Sequence, residues 1–154
     1  MHWSSSWLNR FPLLNPYWRA WSAYYDVDST NGMLDFDCQS ATYDGHVGVD
    51  IAIGDFVAQD EGRFVVAAAP GTVVTNRDGY FDKVTTGDGG LSNLVTILHA
   101  DGSESTYAHL RKWSVMVHTG QQVYAGQPLG LVGSSGNSAG AHLHFGIEKD
   151  GLDY

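Results

Sequence analysis

Two histidines lie one residue apart in the otherwise apolar run AGAHLHFGI. Successive side chains of a β-strand point to opposite faces, so His142 and His144 share one face while Leu143 and Phe145 share the other. Neighbouring imidazoles lose hydration when they are buried and repel each other when both are charged, so apolar side chains would be buried more easily in these positions. The pair therefore favours a chemical role, and metal binding is the role that suits neutral imidazoles.

The segment HVGVD carries a second polar face, because alternation places His46, Gly48 and Asp50 on one side of a strand. If the two faces meet, His46, Asp50 and one histidine of the HxH pair form a three-ligand site of nitrogen and oxygen atoms that suits Zn²⁺. Structural zinc usually has four protein ligands rich in cysteine, whereas three protein ligands and a water are typical of catalytic zinc. The single cysteine, Cys38, excludes a thiolate-rich structural site. We expect Gly48 and Gly146 to leave room for a substrate beside the metal.

Further candidates are one histidine and two tyrosines. His109 lies at the end of the predicted strand STYAHL, where alternation places it on the same face as Tyr107. Tyr107 and Tyr43 could each donate a hydrogen bond to a reaction intermediate, although ordinary packing is favoured for both. His99 and His118 adjoin the turn signals HADG and HTGQ, which predicts a structural role for them.

The segments predicted to position these residues are short β-strands. From about Leu34 onward, runs rich in Val, Ile, Thr and Tyr alternate with Gly, Asp, Asn or Pro. The runs are HVGVDIAI, RFVVAAA, GTVVTN, NLVTILHA, STYAHL, SVMVHTG and PLGLVG. HADGSE predicts a tight hairpin, because Asp-Gly suits a turn that needs a positive φ, and SSGNSAG predicts a flexible loop before the HxH strand. The predicted fold class is all-β, a single domain built on an antiparallel sheet or sandwich.

The beginning of the chain differs from the rest in its aromatic content. We predict that residues 1–34 are an irregular aromatic-rich segment that lays rings over a sheet, and that residues 35–154 are the functional domain. Four of the five tryptophans lie at this end without a spacing of 2 or 3.6 residues, namely Trp3, Trp7, Trp18 and Trp21. A sugar-stacking platform is the alternative interpretation of these rings.

Composition and charge exclude several classes of function. The chain of 154 residues fits one domain, and its 19 glycines indicate many turns. Eight Lys and Arg residues against 17 Asp and Glu give a net charge of −9 with no basic cluster, so nucleic acid is not expected as a partner. No run approaches the roughly 18 apolar residues that a membrane-spanning helix needs, and the start has no signal-peptide pattern. We expect a monomer with no transmembrane segment.

Three motifs, in their order along the chain, resemble those of the lysostaphin/LytM-type zinc metallopeptidases. They are HVGVD (46–50), TYAHL (106–110) and GNSAGAHLHFGI (136–147). The joining segments VVAAAPGTVV and VHTGQQVYAGQPLGLVGSSG are also similar to that family, so the resemblance covers roughly residues 35–150. It implies an antiparallel β fold with an active-site groove floored by the sheet.

The resemblance also implies a role for each of five residues. His46, Asp50 and His144 correspond to the zinc ligands of the family. His142 and His109 correspond to two histidines that act on the reacting water and on the charge that develops in the reaction, and which of them is the general base stays open. Family members mostly cut peptide bonds in bacterial cell-wall peptidoglycan. That substrate implies a cell-envelope or secreted location.

The chain departs from the family pattern in three places. Many relatives have Glu where this chain has Gly146, a change that affects none of the expected ligands. Ala139 and Ala141 replace the common Thr and Pro, so we expect a looser loop. The sequence stops at KDGLDY, short of a usual closing segment, and we therefore expect it to be a fragment with weaker stability.

Three functions are compatible with this set of residues. The leading interpretation is a zinc endopeptidase that hydrolyses peptidoglycan peptides with a metal-activated water. The second is a non-catalytic, metal-binding regulator of cell-wall hydrolases with the same fold, against which the presence of all five positions counts. The third is a non-haem Fe(II) oxygenase, which also uses two histidines and a carboxylate, but its first pair is commonly HxD rather than HxxxD.

Overall fold

The computed structural model describes residues 10–14, 20–26, 28, 30, 32–34, 41–87 and 90–153 of the chain. In chain order, its elements are β1 (Ala20–Ala23), β2 (Val49–Ala52), α1 (Phe56–Glu61), β3 (Phe64–Val66), β4 (Gly71–Arg77), β5 (Leu94–Leu98), β6 (Glu104–Ala108), β7 (Gln122–Val123), β8 (Pro128–Leu131), β9 (His142–Lys149) and β10 (Leu152–Asp153). The predictions for Trp3, Trp7, Trp18 and Cys38 fall outside the described residues.

The pairings between these strands are antiparallel throughout the described residues. The larger sheet has the order β1-β2-β9-β6-β5-β4-β7 with β10 beside β9, and β3 pairs with β8 in a smaller sheet. The HADGSE hairpin joins β5 to β6, and the His99 N–H donates to the Ser103 carbonyl at 2.8 Å. The turn includes Gly102 at φ 84°, as the Asp-Gly pair predicts. The all-β antiparallel prediction is therefore confirmed.

One of the predicted strands, SVMVHTG, is absent from the sheet. Its first two backbone N–H groups bind partners outside any strand ladder. The Ser114 N–H donates to the Arg111 carbonyl at 3.2 Å, and the Val115 N–H donates to the Asp78 carboxylate at 2.9 Å. Because these donors are used in a turn and in a side-chain contact, the segment does not pair as a strand.

A short helix, α1, is missing from the sequence prediction. It begins after Asp55, whose carboxylate accepts hydrogen bonds from the Val57 and Ala58 N–H groups, and it ends at Gly62 with φ 84°. An Asp before the helix and a Gly after it are common start and stop signals, but six residues are too few for a visible helical period. Within the described parts of the chain, no helix has the length and apolar character that crossing a membrane requires.

The hydrophobic core lies between the two sheets, because both supply its side chains. Members from the larger sheet include Ile51, Val73, Val95, Ile97, Leu143 and Phe145, and members from the smaller sheet include Val65 and Leu129. The N-terminal segment also takes part, since Leu13 is buried and bridges to Val65, and β1 pairs with β2 at the sheet edge. The domain boundary near residue 34 stays a prediction.

The larger sheet separates an apolar face from a polar one. On β9, Phe145 lies opposite Val49 of β2 and Tyr107 of β6, and these side chains face the core. His144 lies opposite Asp50 on β2 and Ala108 on β6, and so faces the other way. Because paired residues of neighbouring strands share a face, the sheet register itself brings the chemically active side chains together.

Tyr107 on the apolar face anchors β6 to the loop after β3. Its side chain is fully buried, its hydroxyl accepts the Ala68 N–H at 2.9 Å, and Ser105 Oγ lies 3.1 Å away. Burial raises the pKa of Tyr107 to about 12.

We expect Tyr107→Phe to lower the free energy of unfolding by about 1–3 kcal/mol, because the Ala68 N–H loses its partner. Urea denaturation tests this, with exposed Tyr124→Phe as the matched control; equal midpoints for the two variants would contradict it.

Candidate active site

Three side chains from β2, β9 and the loop before β2 converge on the polar face. His46 Nε2 lies 3.1 Å from Asp50 Oδ1 and 3.2 Å from His144 Nδ1, and the latter two atoms are 2.9 Å apart. His46 and Asp50 are buried, and His144 is half-buried. The structure thus brings together the three residues that the sequence predicts as ligands, while their role as ligands stays a prediction.

A hydrogen bond to the backbone determines which ring nitrogen of His46 is unprotonated. That nitrogen faces this cluster. His46 Nδ1 lies 2.7 Å from the Tyr24 carbonyl oxygen, which can only accept, so Nδ1 carries the donated proton. In the neutral ring Nε2 is then unprotonated and directs its lone pair toward Asp50 and His144. Converging lone pairs repel one another unless a proton or a cation lies between them.

The spacing of the three atoms fits a small cation. Tetrahedral zinc with ligands at about 2.0–2.1 Å separates neighbouring ligand atoms by about 3.3 Å. The three separations here, from 2.9 to 3.2 Å, are close to one face of that tetrahedron. Two imidazole nitrogens and one carboxylate oxygen also form a typical catalytic zinc set. The residues present therefore fit the metal.

The charges within the cluster are strongly coupled. Burial alone would raise the pKa of Asp50, but His144 and His46 beside its carboxylate hold that pKa far below its usual range. Burial alone would lower the pKa of His46, but the Asp50 carboxylate and the Tyr24 carbonyl raise it above its ordinary value. In both cases an adjacent opposite charge outweighs the loss of hydration, so Asp50 stays an anion that attracts a positive partner.

His142 lies beside the three-residue cluster without belonging to it. Its Nδ1–H donates to the Gly140 carbonyl at 2.8 Å, which leaves Nε2 unprotonated in the neutral ring. That Nε2 atom is 3.7 Å from Asp50 Oδ1, beyond hydrogen-bonding distance. His142 therefore presents the Nε2 atom of its ring next to the candidate metal position.

His109 reaches the same place from the end of β6. Its ring centroid is 4.5 Å from that of His142 and 5.9 Å from that of His144. The Nδ1–H of His109 donates to the Ser135 carbonyl at 2.7 Å, so Nε2 is again the unprotonated nitrogen of the neutral ring. Burial and the neighbouring His142 lower the pKa of His109 to about 4, and His109 is therefore neutral at pH 7.

The expectation that Tyr107 shares a face with His109 is wrong. The Tyr107 side chain is in the core, where its ring centroid lies 5.2 Å from that of Phe145 and its hydroxyl accepts the Ala68 N–H. The reason is the backbone of His109, whose φ of 62° breaks the alternation of the strand and turns the ring to the polar face. Tyr43 remains near the site, with its ring 4.3 Å from that of His46, and burial and Asp50 raise its pKa to about 12.

The two glycines of the site have a different role from the one predicted. A β-carbon on Gly48 would lie 2.6 Å from the Phe145 carbonyl oxygen, and one on Gly146 would lie 3.0 Å from the Val47 carbonyl oxygen. The space beside each glycine is therefore filled by backbone of the facing segment rather than left for a substrate. The glycines allow the loop that carries His46 to pack closely on β9.

We expect Gly48→Ala to destabilise the protein more than substitution of a comparable glycine. Gly54 also has a positive φ, 109° against 133° at Gly48, but a β-carbon on Gly54 would have no other atom within 4 Å. Gly54→Ala therefore measures the effect of backbone strain alone. Gly48→Ala adds the clash of the new β-carbon, so we expect it to lower the free energy of unfolding by about 1–3 kcal/mol more than Gly54→Ala does. Thermal and urea unfolding of both variants test this. Equal losses would contradict close backbone packing at Gly48.

An open pocket of about 390 Å³ lies between the segment that joins β4 to β5 and the loop before β9. Its wall includes Tyr80, Leu91 and Gly136. Gly136 directly follows Ser135, whose carbonyl holds the His109 ring. Through Gly136 the pocket borders the loop that holds His109.

The loop before β9 is more ordered by hydrogen bonds than the flexible loop that the sequence predicts. Ser134, Ser135 and Ser138 are buried. Ser134 Oγ donates to the Val84 carbonyl at 2.6 Å, and Ser138 Oγ lies 2.8 Å from Ser134 Oγ and 3.3 Å from His142 Nδ1. The sequence interpretation missed these supporting serines. The feature of the sequence that could have revealed them is the high density of serines directly before the HxH motif.

Comparisons with known proteins find similar sequences. The family model described as Peptidase family M23 matches residues 44–154. The chain is 43% identical over 63 residues to the DD-carboxypeptidase/endopeptidase Mpg of Neisseria meningitidis, a match that covers 41% of this chain and 14% of that protein. It is 36% identical over 111 residues to the murein hydrolase activator NlpD of Salmonella dublin, which covers 72% of this chain and 25% of that protein.

A solved structure resembles the chain as well. The antimicrobial peptidase lysostaphin from Staphylococcus simulans aligns with a TM-score of 0.51 at 29% identity, over 70% of this chain and 38% of that one. The matches span a seventh to a quarter of the length of the two curated relatives. One of those relatives is named as an enzyme and the other as an activator, so similarity alone does not distinguish the two functions.

Proposed function

The chain belongs to peptidase family M23, and from that premise we propose that it is a zinc-dependent endopeptidase acting on peptide cross-links of bacterial cell-wall peptidoglycan. The observation that supports this most is the set of five side chains on one face of the sheet. Three ligand-type atoms lie within 3.2 Å of one another, and two further imidazoles border them with unprotonated Nε2 atoms. A site that only held a metal would not need the two additional imidazoles.

In the proposed reaction, His46, Asp50 and His144 would hold the zinc, and the bound metal would supply Lewis acidity toward the scissile carbonyl and toward the attacking water. The Tyr24 carbonyl keeps the His46 proton on Nδ1, so that Nε2 remains available as a ligand. The low pKa of the Asp50 carboxyl keeps it anionic at every pH at which the enzyme would act. One anionic and two neutral ligands leave the site with a net positive charge.

His109 and His142 move the protons of the proposed reaction. Each has its Nδ1–H tied to a backbone carbonyl, so each can accept a proton only at Nε2. A neutral imidazole next to the attacking water acts as the general base, and the same proton can then pass to the departing amine. Either imidazole can support the charge that develops on the carbonyl oxygen only after its Nε2 has gained a proton, because an unprotonated nitrogen has no hydrogen bond to donate.

The proposed substrate also gives the proposed setting of the protein. Cross-linked peptidoglycan lies outside the cytoplasmic membrane, so we propose that the protein acts in the cell envelope or after secretion, as a monomer. The net charge of −9 does not favour nucleic acid as a partner. It also disfavours anionic polymers except at the positive metal position.

Digestion of peptidoglycan tests the proposal directly. The zinc-loaded protein is incubated with peptidoglycans of different bridge chemistry and with glycine peptides, and the fragments are weighed by mass spectrometry. We expect about one zinc per chain by elemental mass spectrometry and new amino termini within the peptide cross-links. A zinc-replete protein that cuts none of these substrates would contradict the proposal, and iron in place of zinc would favour the oxygenase alternative.

A non-catalytic regulator is the second candidate, and similarity to the relative named murein hydrolase activator NlpD supports it. If the protein is a regulator, the purified protein releases no peptidoglycan fragments by itself, but it increases the amount of fragments that a separate cell-wall hydrolase releases. Adding the protein to such a hydrolase, with and without His142→Ala, separates the two candidates. A regulator stimulates equally with and without the imidazole, whereas an endopeptidase needs it.

A further inference from the structure

The backbone at His109 is unusual for a residue with a β-carbon. Its φ of 62° lies in the left-handed region, which is unfavourable for side chains other than glycine. A regular strand would carry the His109 ring to the core face beside Tyr107, as alternation requires. The left-handed conformation instead brings the ring to 4.5 Å from His142. The active position of this imidazole therefore depends on whatever holds the backbone in that conformation.

Ser92, on the segment before β5, holds that backbone. Its Oγ accepts the His109 N–H at 2.8 Å, a donor that has left the strand ladder. The same Oγ donates its single proton to the Asn93 carbonyl at 3.1 Å, so its lone pairs remain free for the His109 N–H. The serine hydroxyl is thus oriented on both sides, and it provides the acceptor that a neighbouring strand would otherwise provide.

Asn93, which follows Ser92, ties this contact to the surrounding loops. It is fully buried, and its amide donates to the carbonyls of Tyr80 and Leu110 at 3.0 and 2.9 Å. The Asn93 N–H donates to Ser135 Oγ at 2.9 Å. Ser135 is the residue whose carbonyl holds the His109 ring, so backbone and ring of the histidine are anchored in one network.

Tight packing leaves Ser92 little freedom to move. A β-carbon on Gly136 would lie 2.9 Å from Ser92 Cβ and 2.9 Å from its backbone nitrogen. Gly136 has a φ of 76°, which suits glycine and lets the serine loop lie directly against Ser92. The Ser92 hydroxyl is therefore held at a fixed position relative to His109.

We propose that Ser92 is a positioning residue, whose hydroxyl holds the left-handed backbone of His109 and thereby keeps the imidazole beside the reacting groups. This inference rests on the proposed function for its kinetic consequence. Its structural consequence, the conformation of His109, is independent of any activity and of any metal. The Ser92 hydroxyl also lies 3.5 Å from His109 Nδ1, so its contacts with the site are to the backbone and ring of His109, and Ser92 acts through that residue.

The test compares Ser92→Ala with Ser114→Ala. Ser114 is a matched control, because its Oγ also accepts a backbone N–H, that of Leu131 at 3.1 Å, but does not contact His109. For Ser92→Ala we expect kcat to fall about 10- to 100-fold through misplacement of the imidazole, with KM and zinc content within twofold of wild type. NMR backbone couplings of the metal-free variant should no longer report a positive φ at His109.

Two kinetic results would overturn the inference. One is a Ser92→Ala variant whose kcat stays within twofold of wild type, and the other is a loss of kcat that Ser114→Ala shares. If the wild-type protein hydrolyses nothing, the proposed function fails, and the NMR result alone decides on Ser92. An unchanged positive φ at His109 in metal-free Ser92→Ala would then overturn it, and a lost positive φ would support it.

Discussion

Asp50→Ala is expected to abolish stoichiometric zinc binding and to reduce hydrolysis by at least about 10³-fold, since the Lewis acidity of the metal contributes several kcal/mol to such reactions. The physical reason is that Asp50 is the anion of the candidate ligand set and lies within 3.1 Å of both ligand nitrogens. Without it, two neutral imidazoles remain to hold a divalent cation. Zinc content by elemental mass spectrometry and kcat/KM on the substrate identified for the wild type measure the effect.

The same variant separates metal binding from folding. A ligand present at 100 to 1,000 times its Kd stabilises the folded state by about 2.7–4.1 kcal/mol, which raises the melting temperature of a domain of this size by roughly 5–15 °C. A chelator should remove this increment from the wild type and leave Asp50→Ala unaffected. Asp60→Ala is the control, because Asp60 is an exposed carboxylate paired with Lys83 at 2.8 Å. Stoichiometric zinc in Asp50→Ala would contradict the ligand assignment.

The strand pattern was sufficient to predict which residues of β2 and β9 share a face. In β9, Leu143, Phe145 and Ile147 are buried, and the alternating positions face the site. Asp50 lies directly opposite His144 in the sheet. The alternation of side chains in β2 and in β9 therefore predicts the same location for both residues. Such patterns are visible in a sequence because burial selects apolar side chains on one face only.

Residues that depend on departures from regular structure could not be predicted in this way. Alternation places His109 beside Tyr107, whereas the φ of 62° at His109 turns its ring to the opposite face. That conformation depends on Ser92, 17 residues away in the chain. A single serine before a strand has no distinctive pattern, and neither the contact nor its effect follows from local sequence.

The protonation of the imidazoles also depends on features that leave no mark in a sequence. The Nδ1–H groups of His46, His109 and His142 each donate to a main-chain carbonyl. Every residue has a carbonyl, so the choice of these acceptors follows only from the folded backbone. The sequence thus predicts which side chains meet, and the fold determines which nitrogen each of them presents.

His142→Ala is expected to lower kcat by about 10²–10⁴-fold, the usual range for loss of a general acid–base group, while zinc content and melting temperature stay close to those of the wild type. His142 is outside the three-atom cluster, since its Nε2 lies 3.7 Å from Asp50 Oδ1, so its removal leaves the candidate ligands in place. Exposed His118, which bonds the Thr119 carbonyl, provides the control His118→Ala. Loss of zinc from His142→Ala would contradict the separation of ligand and proton-transfer roles.

Combining His142→Ala with His109→Ala tests whether the two imidazoles act as one unit. Their rings are 4.5 Å apart, close enough to serve the same water and the same developing charge. If both are needed in one transition state, the double variant should lose little more activity than the worse single variant, because groups that act together are strongly non-additive. If the two imidazoles contribute independently, the fold-losses of activity in the single variants would instead multiply in the double variant. Full activity in either single variant would show that the corresponding imidazole takes no part in the chemistry, and the case for an enzyme would then rest on the other alone.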